Sequence, residues 1–380
     1  MNVILRRLAL VLTSTALCVV GLEGAARVYA PVPETPRQPA LLRGGFSQPG
    51  DHPNHAPEYS VTVHVNAHGF VDTEWPDTQP DVVVIGDSFV QAAQVPLNAG
   101  YGRKLAQETG LRVESMGVPG AGTATALGVL KTYALPRRPH LVLLGFLVGN
   151  DVLNNSPALD SKGDKPFYDL APDGGLVLTN AALLASREGP LPGLWRASAL
   201  WRLGWQQWAR YEAAVDKVTR GAGVPIDFRV YQPATDPAWE HAWMVSGALV
   251  AEMARVCDHA GVKFGVVLFP DAVGGTTAGE ARMHHDWPLT ASWDPAQAHA
   301  RARELLSPIA PVLDLAPALR AAETADPAPL YLAQDGHWTA RGHAVAALAS
   351  APFVRTLLPP ISACDDGSAR PAASPAQESP

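Results

Sequence analysis

The chain has 380 residues, 47% of them hydrophobic, enough to bury a sizeable core in one large domain with an insertion or in two domains. Its 36 acidic and 29 basic residues leave a net charge of −7, and beyond Arg6-Arg7 at the N-terminus the one clustered basic pair, Arg137-Arg138, follows a proline in what reads as a loop; this argues against a nucleic-acid binder. Cys18, Cys257 and Cys364 offer neither a disulfide framework nor metal-ligand spacing.

In chain order, Arg6 and Arg7 precede an uncharged apolar run from Leu8 to Leu22, which Glu23 and Arg27 close. Fifteen helical residues reach about 22 Å, short of the roughly 30 Å hydrocarbon core. The run suits a cleavable export signal, with Val28-Tyr29-Ala30 as its cleavage site, or a short membrane anchor over residues 1–30. Either way the arginines stay inside and the body is exported to a periplasmic or extracellular face. Residues 31–59 read as a flexible linker, because 31–58 hold seven prolines and no hydrophobic period. Residues 359–380, rich in Pro, Ala, Ser and Asp, read as a disordered tail.

The body is expected over 60–358. Asp81–Gly86 is a buried strand, Gly100–Glu108 a helix and Arg112–Ser115 a second strand. A glycine-rich loop, Gly117–Thr123, leads into a helix reaching Ala134, and Leu141–Phe146 is a third strand ended by Gly149-Asn150-Asp151. Glu240–His259 is a long helix, Lys263–Phe269 a fourth strand, Gln297–Leu306 helical, Val312–Leu315 a fifth strand and Thr339–Leu348 a final helix. Apolar strands separated by helical patterns predict an α/β three-layer sandwich around a mostly parallel five-stranded sheet. Residues 152–239 form a long insertion or cap, with a hairpin at Phe167–Leu178 around Asp173-Gly174-Gly175. Its tryptophan-rich stretch, Leu194–Val218, packs over the sheet edge, lines a substrate groove or touches a membrane. Val273–Glu280 and His284-His285-Asp286 read as a loop near the strand ends, either solvated or shaping a substrate rim.

Four segments carry candidate chemistry. In Gly86-Asp87-Ser88-Phe89 a serine directly follows a buried strand; it either caps the next helix or presents a nucleophilic hydroxyl whose own N–H faces a bound oxyanion. Gly117-Val118-Pro119-Gly120-Ala121-Gly122-Thr123 lacks the lysine of a phosphate cradle and fits a tight turn bringing the Gly120 N–H toward Ser88. Asn150, just past a strand, belongs to a turn or adds an amide donor. In Gln334-Asp335-Gly336-His337-Trp338-Thr339 a histidine can act as proton carrier, with an acid two residues away to orient its ring. His343 reads as structural, and a metal site from Asp335, His337 and His343 has no zinc-type spacing.

Together these segments resemble the SGNH (GDSL-type) hydrolase superfamily: GDSF with Phe89 in place of leucine, the GVPGAGT loop, Gly149-Asn150-Asp151, and an acid–histidine block in the DGHWT form. Asn66-Ala67-His68-Gly69-Phe70 is similar to a lead-in of membrane-associated members. The resemblance implies a flavodoxin-like fold, with Ser88 as nucleophile, His337 as base, Asp335 as its orienter, and Ser88 N–H, Gly120 N–H and Asn150 as oxyanion donors. One residue rather than two separates acid from histidine, the form of the alginate-type O-acetyltransferase branch, and Val148 replaces a leading glycine. The expected activity is ester hydrolysis through an acyl-serine on an acylated carbohydrate or similar ester, without cofactor or metal. The alternatives are O-acyl transfer to a glycan, or a glycan-binding or assembly protein with an idle site.

Overall fold

The computed structural model describes residues 2–29, 48–160, 165–181, 198–201, 203–204, 207, 223–233 and 236–358. An N-terminal helix, α1 (Asn2–Tyr29), precedes a hairpin of β1 (Gly50–Ala56) and β2 (Tyr59–Val65), paired from Gly50↔Val65 to Ala56↔Tyr59. Residues 50–59, expected as part of the linker, therefore form a strand and the hairpin turn that follows it. Val61, Val63 and Val65 alternate along β2 and face Val71, Ala93 and Leu97, while Asn54 Nδ2 donates to Ala93 O at 2.8 Å. That pairing outweighs the local cost of Pro53 and Pro57.

The central sheet contains β3 (Val82–Gly86), β4 (Val113–Gly117), β5 (Leu141–Leu147), β8 (Lys263–Phe269) and β9 (Val312–Asp314), all parallel, in the order β4-β3-β5-β8-β9. In strand sequence this is 2-1-3-4-5, the flavodoxin-like arrangement. The strands lie between two helical layers and alternate between two cores. Val83 and Ile85 of β3 join one core with Leu127, Leu249 and Met253; Val82 and Val84 join the other with Tyr101, Leu105 and Val354. Burial on both faces explains why the strands read as unbroken apolar runs.

Short β6 (Tyr168–Leu170) and β7 (Leu176–Leu178) form the expected hairpin within the insertion, with Gly174 at φ +82° in its turn. Of the tryptophan-rich stretch only residues 198–201, 203–204 and 207 are described; Trp195, Trp205 and Trp208 lie outside. The glycine-rich segment expected as a loop is helical over Ala272–Gly275 and Thr277–Asp286. Asp271 accepts from Gly274 N and Thr276 from Gly279 N, so side-chain caps at both starts offset the low helix propensity of the glycines. His284, His285 and Asp286 consequently sit at a helix end. A further helix, Ala316–Ala325, was not anticipated.

Candidate active site

Ser88 begins a one-turn helix, Ser88–Gln91, directly after β3. Because β4 flanks β3 on one side and β5 on the other, Ser88 stands where the strand order reverses, the place where open α/β sheets bind ligands. Small residues permit the close packing. A Cβ on Gly86 would lie 2.9 Å from Gly145 O, and one on Gly117 would lie 2.1 Å from Gln91 N, so β3, β4, β5 and the new helix approach backbone to backbone. Asp87 caps the turn by accepting from Phe89 N at 2.9 Å.

The loop before the last helix, Ala340–Leu357, brings its acid and histidine to this point. Ser88 Oγ and His337 Nε2 are 2.7 Å apart, and His337 Nδ1 and Asp335 Oδ1 are 2.5 Å apart. With the histidine neutral, Nδ1–H donates to the carboxylate and Nε2 accepts the serine proton. Gly336 supplies φ +85° between the two residues, the backbone bend that a one-residue spacing requires. Burial alone would raise the Asp335 carboxyl, but the hydrogen bond and charge of His337 outweigh it and hold the carboxyl below the ordinary aspartate value. About a fifth of each of the His337 and Asp335 side chains stays exposed, so a ligand can reach them.

Packing fixes the ring. Phe89 lies 4.9 Å from the His337 ring and edge-on to Trp338 at 5.0 Å, and Trp338 is fully buried against Phe269. His343 sits edge-on beneath Trp338 at 5.4 Å. Burial, then the His337 charge, lowers its pKa to about 3, so it is a neutral interior ring.

The oxyanion candidates lie at the same strand ends. Val118 N donates to Gly86 O at 2.9 Å, which ties the glycine-rich loop to the serine strand. Ala121 N donates to Val118 O at 3.1 Å with Gly120 at φ +67°, as in a proline-then-glycine turn. Asn150 lies in a helix, Val148–Asn154, rather than in the turn that ends β5; its Nδ2 donates to Asp87 Oδ2 at 3.4 Å, leaving one amide hydrogen for a ligand. Asn66 Oδ1 accepts from His68 N and Phe70 N, and Phe70 packs on Trp75, so this segment is a structural turn.

Three features escaped the sequence reading. Glu58, at the tip of the β1–β2 hairpin, accepts from Gln334 N and Asp335 N, both at 2.8 Å, and Tyr59 O–H donates to Asp335 Oδ2 at 3.4 Å. Neither β2, with its alternating Val61, Val63 and Val65, nor what its hairpin tip would touch was read from the sequence. Second, Asp87 and Asp151 are both buried near Ser88. Burial pushes Asp87 up to about 6, and burial with the Asp87 charge pushes Asp151 well above the ordinary range. Third, buried Lys165 from the insertion pairs with Asp160 at 2.5 Å and donates to Asn154 Oδ1 at 2.6 Å and Gly120 O at 3.2 Å.

A cavity of about 490 Å³, lined by Phe228, Met283, Trp287, Leu332, Gln334 and Gly336 among others, adjoins the acid–histidine loop, but Ser88, Asp335 and His337 are not in its lining. Among the described residues no three His, Cys, Asp or Glu side chains converge as a metal site would require.

No protein-family model matches the sequence, and no curated protein matches it. Among solved structures, a protein described as lipolytic, of the G-D-S-L family, from Desulfitobacterium hafniense is similar at TM-score 0.34 and 12% identity, over 71% of this chain and 97% of that one. An acetyl xylan esterase is similar at TM-score 0.39 and 11% identity, over 72% of this chain and 99% of that one. A variant of an acetylxylan esterase from Geobacillus stearothermophilus is similar at TM-score 0.38 and 12% identity, over 73% and 94%. Likeness at this level carries nothing about substrate or reaction.

Proposed function

We propose that the chain is an exported serine esterase that removes a small acyl group, acetyl in the first instance, from a carbohydrate or envelope glycan. The observation that carries this reading is the unbroken relay from Ser88 Oγ through His337 to Asp335, with links of 2.7 and 2.5 Å. In this reading the domain spans 50–358, its start moved from residue 60 to take in the β1–β2 hairpin, with 152–239 as its insertion.

Ser88 Oγ attacks the ester carbonyl while His337 Nε2 takes its proton. The carbonyl oxygen becomes an oxyanion and meets the Ser88 N–H, the Gly120 N–H and the Asn150 amide. Such donors are each worth about 10²–10³ in turnover. Asp335 holds the ring in the required tautomer and stabilises the imidazolium. The intermediate collapses, the alcohol leaves with the proton from His337, and an acyl-serine remains. Water, deprotonated by His337, releases the acid and restores the serine.

The resemblance of the Asp335-Gly336-His337-Trp338-Thr339 block to that of alginate-type O-acetyltransferases supports a second outcome, in which a sugar hydroxyl takes the acyl group in place of water. An acetylated oligosaccharide, incubated with and without an unacetylated acceptor sugar, separates the two. Hydrolysis predicts acetate release at a rate independent of acceptor and no new acetyl sugar. Transfer predicts an acetylated acceptor. Neither product, with protein shown to be folded, would leave only a binding role.

A further inference from the structure

Helix α1 is 28 residues long, about 42 Å. Its window from Leu10 to Tyr29 has a mean hydropathy of 1.4 and is 6% buried, and Leu10, Leu12, Leu17 and Val20 are exposed by more than 60%. By length and composition it can cross a bilayer, but a signal sequence would pass the same test. What separates the two is Glu23. Its Oε1 accepts from Ala199 N at 2.7 Å, and its Oε2 accepts from Ser198 Oγ at 2.9 Å and Leu200 N at 3.1 Å. Arg27 Nε donates to the same carboxylate at 2.9 Å.

Residues 199–201 are helical, and Ser198 Oγ also accepts from Trp201 N at 3.2 Å. The first amides of a helix have no partner within it. Here two of them are satisfied by a side chain from a helix more than 170 residues earlier. Ala199 is fully buried and Ala26, one turn beyond Glu23, is 7% exposed, so the contact also excludes water. Cleavage after Ala30 would remove the carboxylate and with it three charge-assisted hydrogen bonds to the insertion.

We propose that α1 is retained as a bilayer-spanning anchor, and that Glu23 clasps the insertion so that Trp201 docks at the outer lipid–water interface. Sixteen residues separate Arg7 from Glu23, about 24 Å of helix. With Arg6 and Arg7 snorkelling to the inner headgroups, Glu23 and Arg27 arrive at the outer ones. Trp201, 48% exposed and two residues past Ala199, lies at the depth where amphipathic indoles collect. This docking does not depend on the ester chemistry.

The test uses the full chain with a C-terminal tag, isolated from a host with export machinery. Intact mass is expected to include residues 1–30, in a membrane fraction that resists alkaline extraction. A chain beginning near residue 31 in the soluble fraction would overturn the proposal. In nanodiscs, Glu23→Ala is expected to speed hydrogen exchange of a 198–204 peptide by roughly tenfold, and Glu23→Gln by less. Equal exchange in all three proteins would overturn the clasp. Lipids brominated near the headgroup are expected to quench tryptophan emission more in the parent than in Trp201→Phe; equal quenching would overturn the docking.

Discussion

The fully buried Asp87 carboxyl, next to Ser88 in the chain, makes the stability of this protein depend on pH in a calculable way. Burial raises its pKa from 3.8 to about 6, so the folded chain holds that proton more tightly than the unfolded chain does. Below pH 3.8 both states are protonated and the penalty is absent. It grows between 3.8 and about 6 and is complete above about 6. At about 1.4 kcal/mol per pH unit, the full penalty is about 3 kcal/mol. Asp87→Asn removes it while keeping an oxygen that can cap Phe89 N; the weak contact to Asn150 changes by about 1 kcal/mol, independent of pH. Relief extends to Asp151, whose carboxyl the Asp87 charge pushes up. Urea denaturation of the full chain in detergent, parent against Asp87→Asn, is expected to give a variant about 3 kcal/mol better relative to its parent at pH 7.5 than at pH 3.5. The same difference at both pH values would refute the reasoning.

Asp335→Asn should preserve the fold but favour the wrong tautomer of His337, lowering turnover by about 10³–10⁴ in a chromogenic acetate ester assay with KM little changed. Lys165→Met removes the ammonium that pairs with Asp160 and donates to Asn154 Oδ1 and the Gly120 carbonyl; a loss of about 1–3 kcal/mol by urea denaturation, with reduced turnover in the remaining folded protein, is expected. Gly117→Ala drives a methyl group to 2.1 Å from Gln91 N and 2.6 Å from Gln91 Cα, where no flexible side chain can yield. It should cost at least about 3 kcal/mol and be seen as a lowered Tm or loss of folded protein.

The sheet was legible because its strands are buried on both faces, so Val82–Ile85 and Leu141–Leu147 stand out as apolar runs whatever surrounds them. The segments around Ser88 and His337 were legible because a serine after a strand and an acid two residues from a histidine are local patterns. Their approach to 2.7 Å, across 249 positions, follows from strand order and from Trp338 wedged against Phe269, neither of which is local. Glu58 reads as an ordinary charge in a proline-rich linker until the hairpin tip is seen beneath the Gln334-Asp335 amides. Lys165 likewise gains meaning only from the buried carboxylate and carbonyl around it. The Ala272–Gly275 and Thr277–Asp286 helices were hidden because glycine content pointed one way and the Asp271 and Thr276 caps the other.

The central claim is that Ser88 is a nucleophile activated by His337. A serine-directed fluorophosphonate, followed by intact mass and peptide mapping, tests it most directly. The account predicts one adduct per chain, on Ser88, absent in Ser88→Ala and formed far more slowly in His337→Ala. Labelling at another serine, or at Ser88 with the same rate when His337 is replaced, would contradict it.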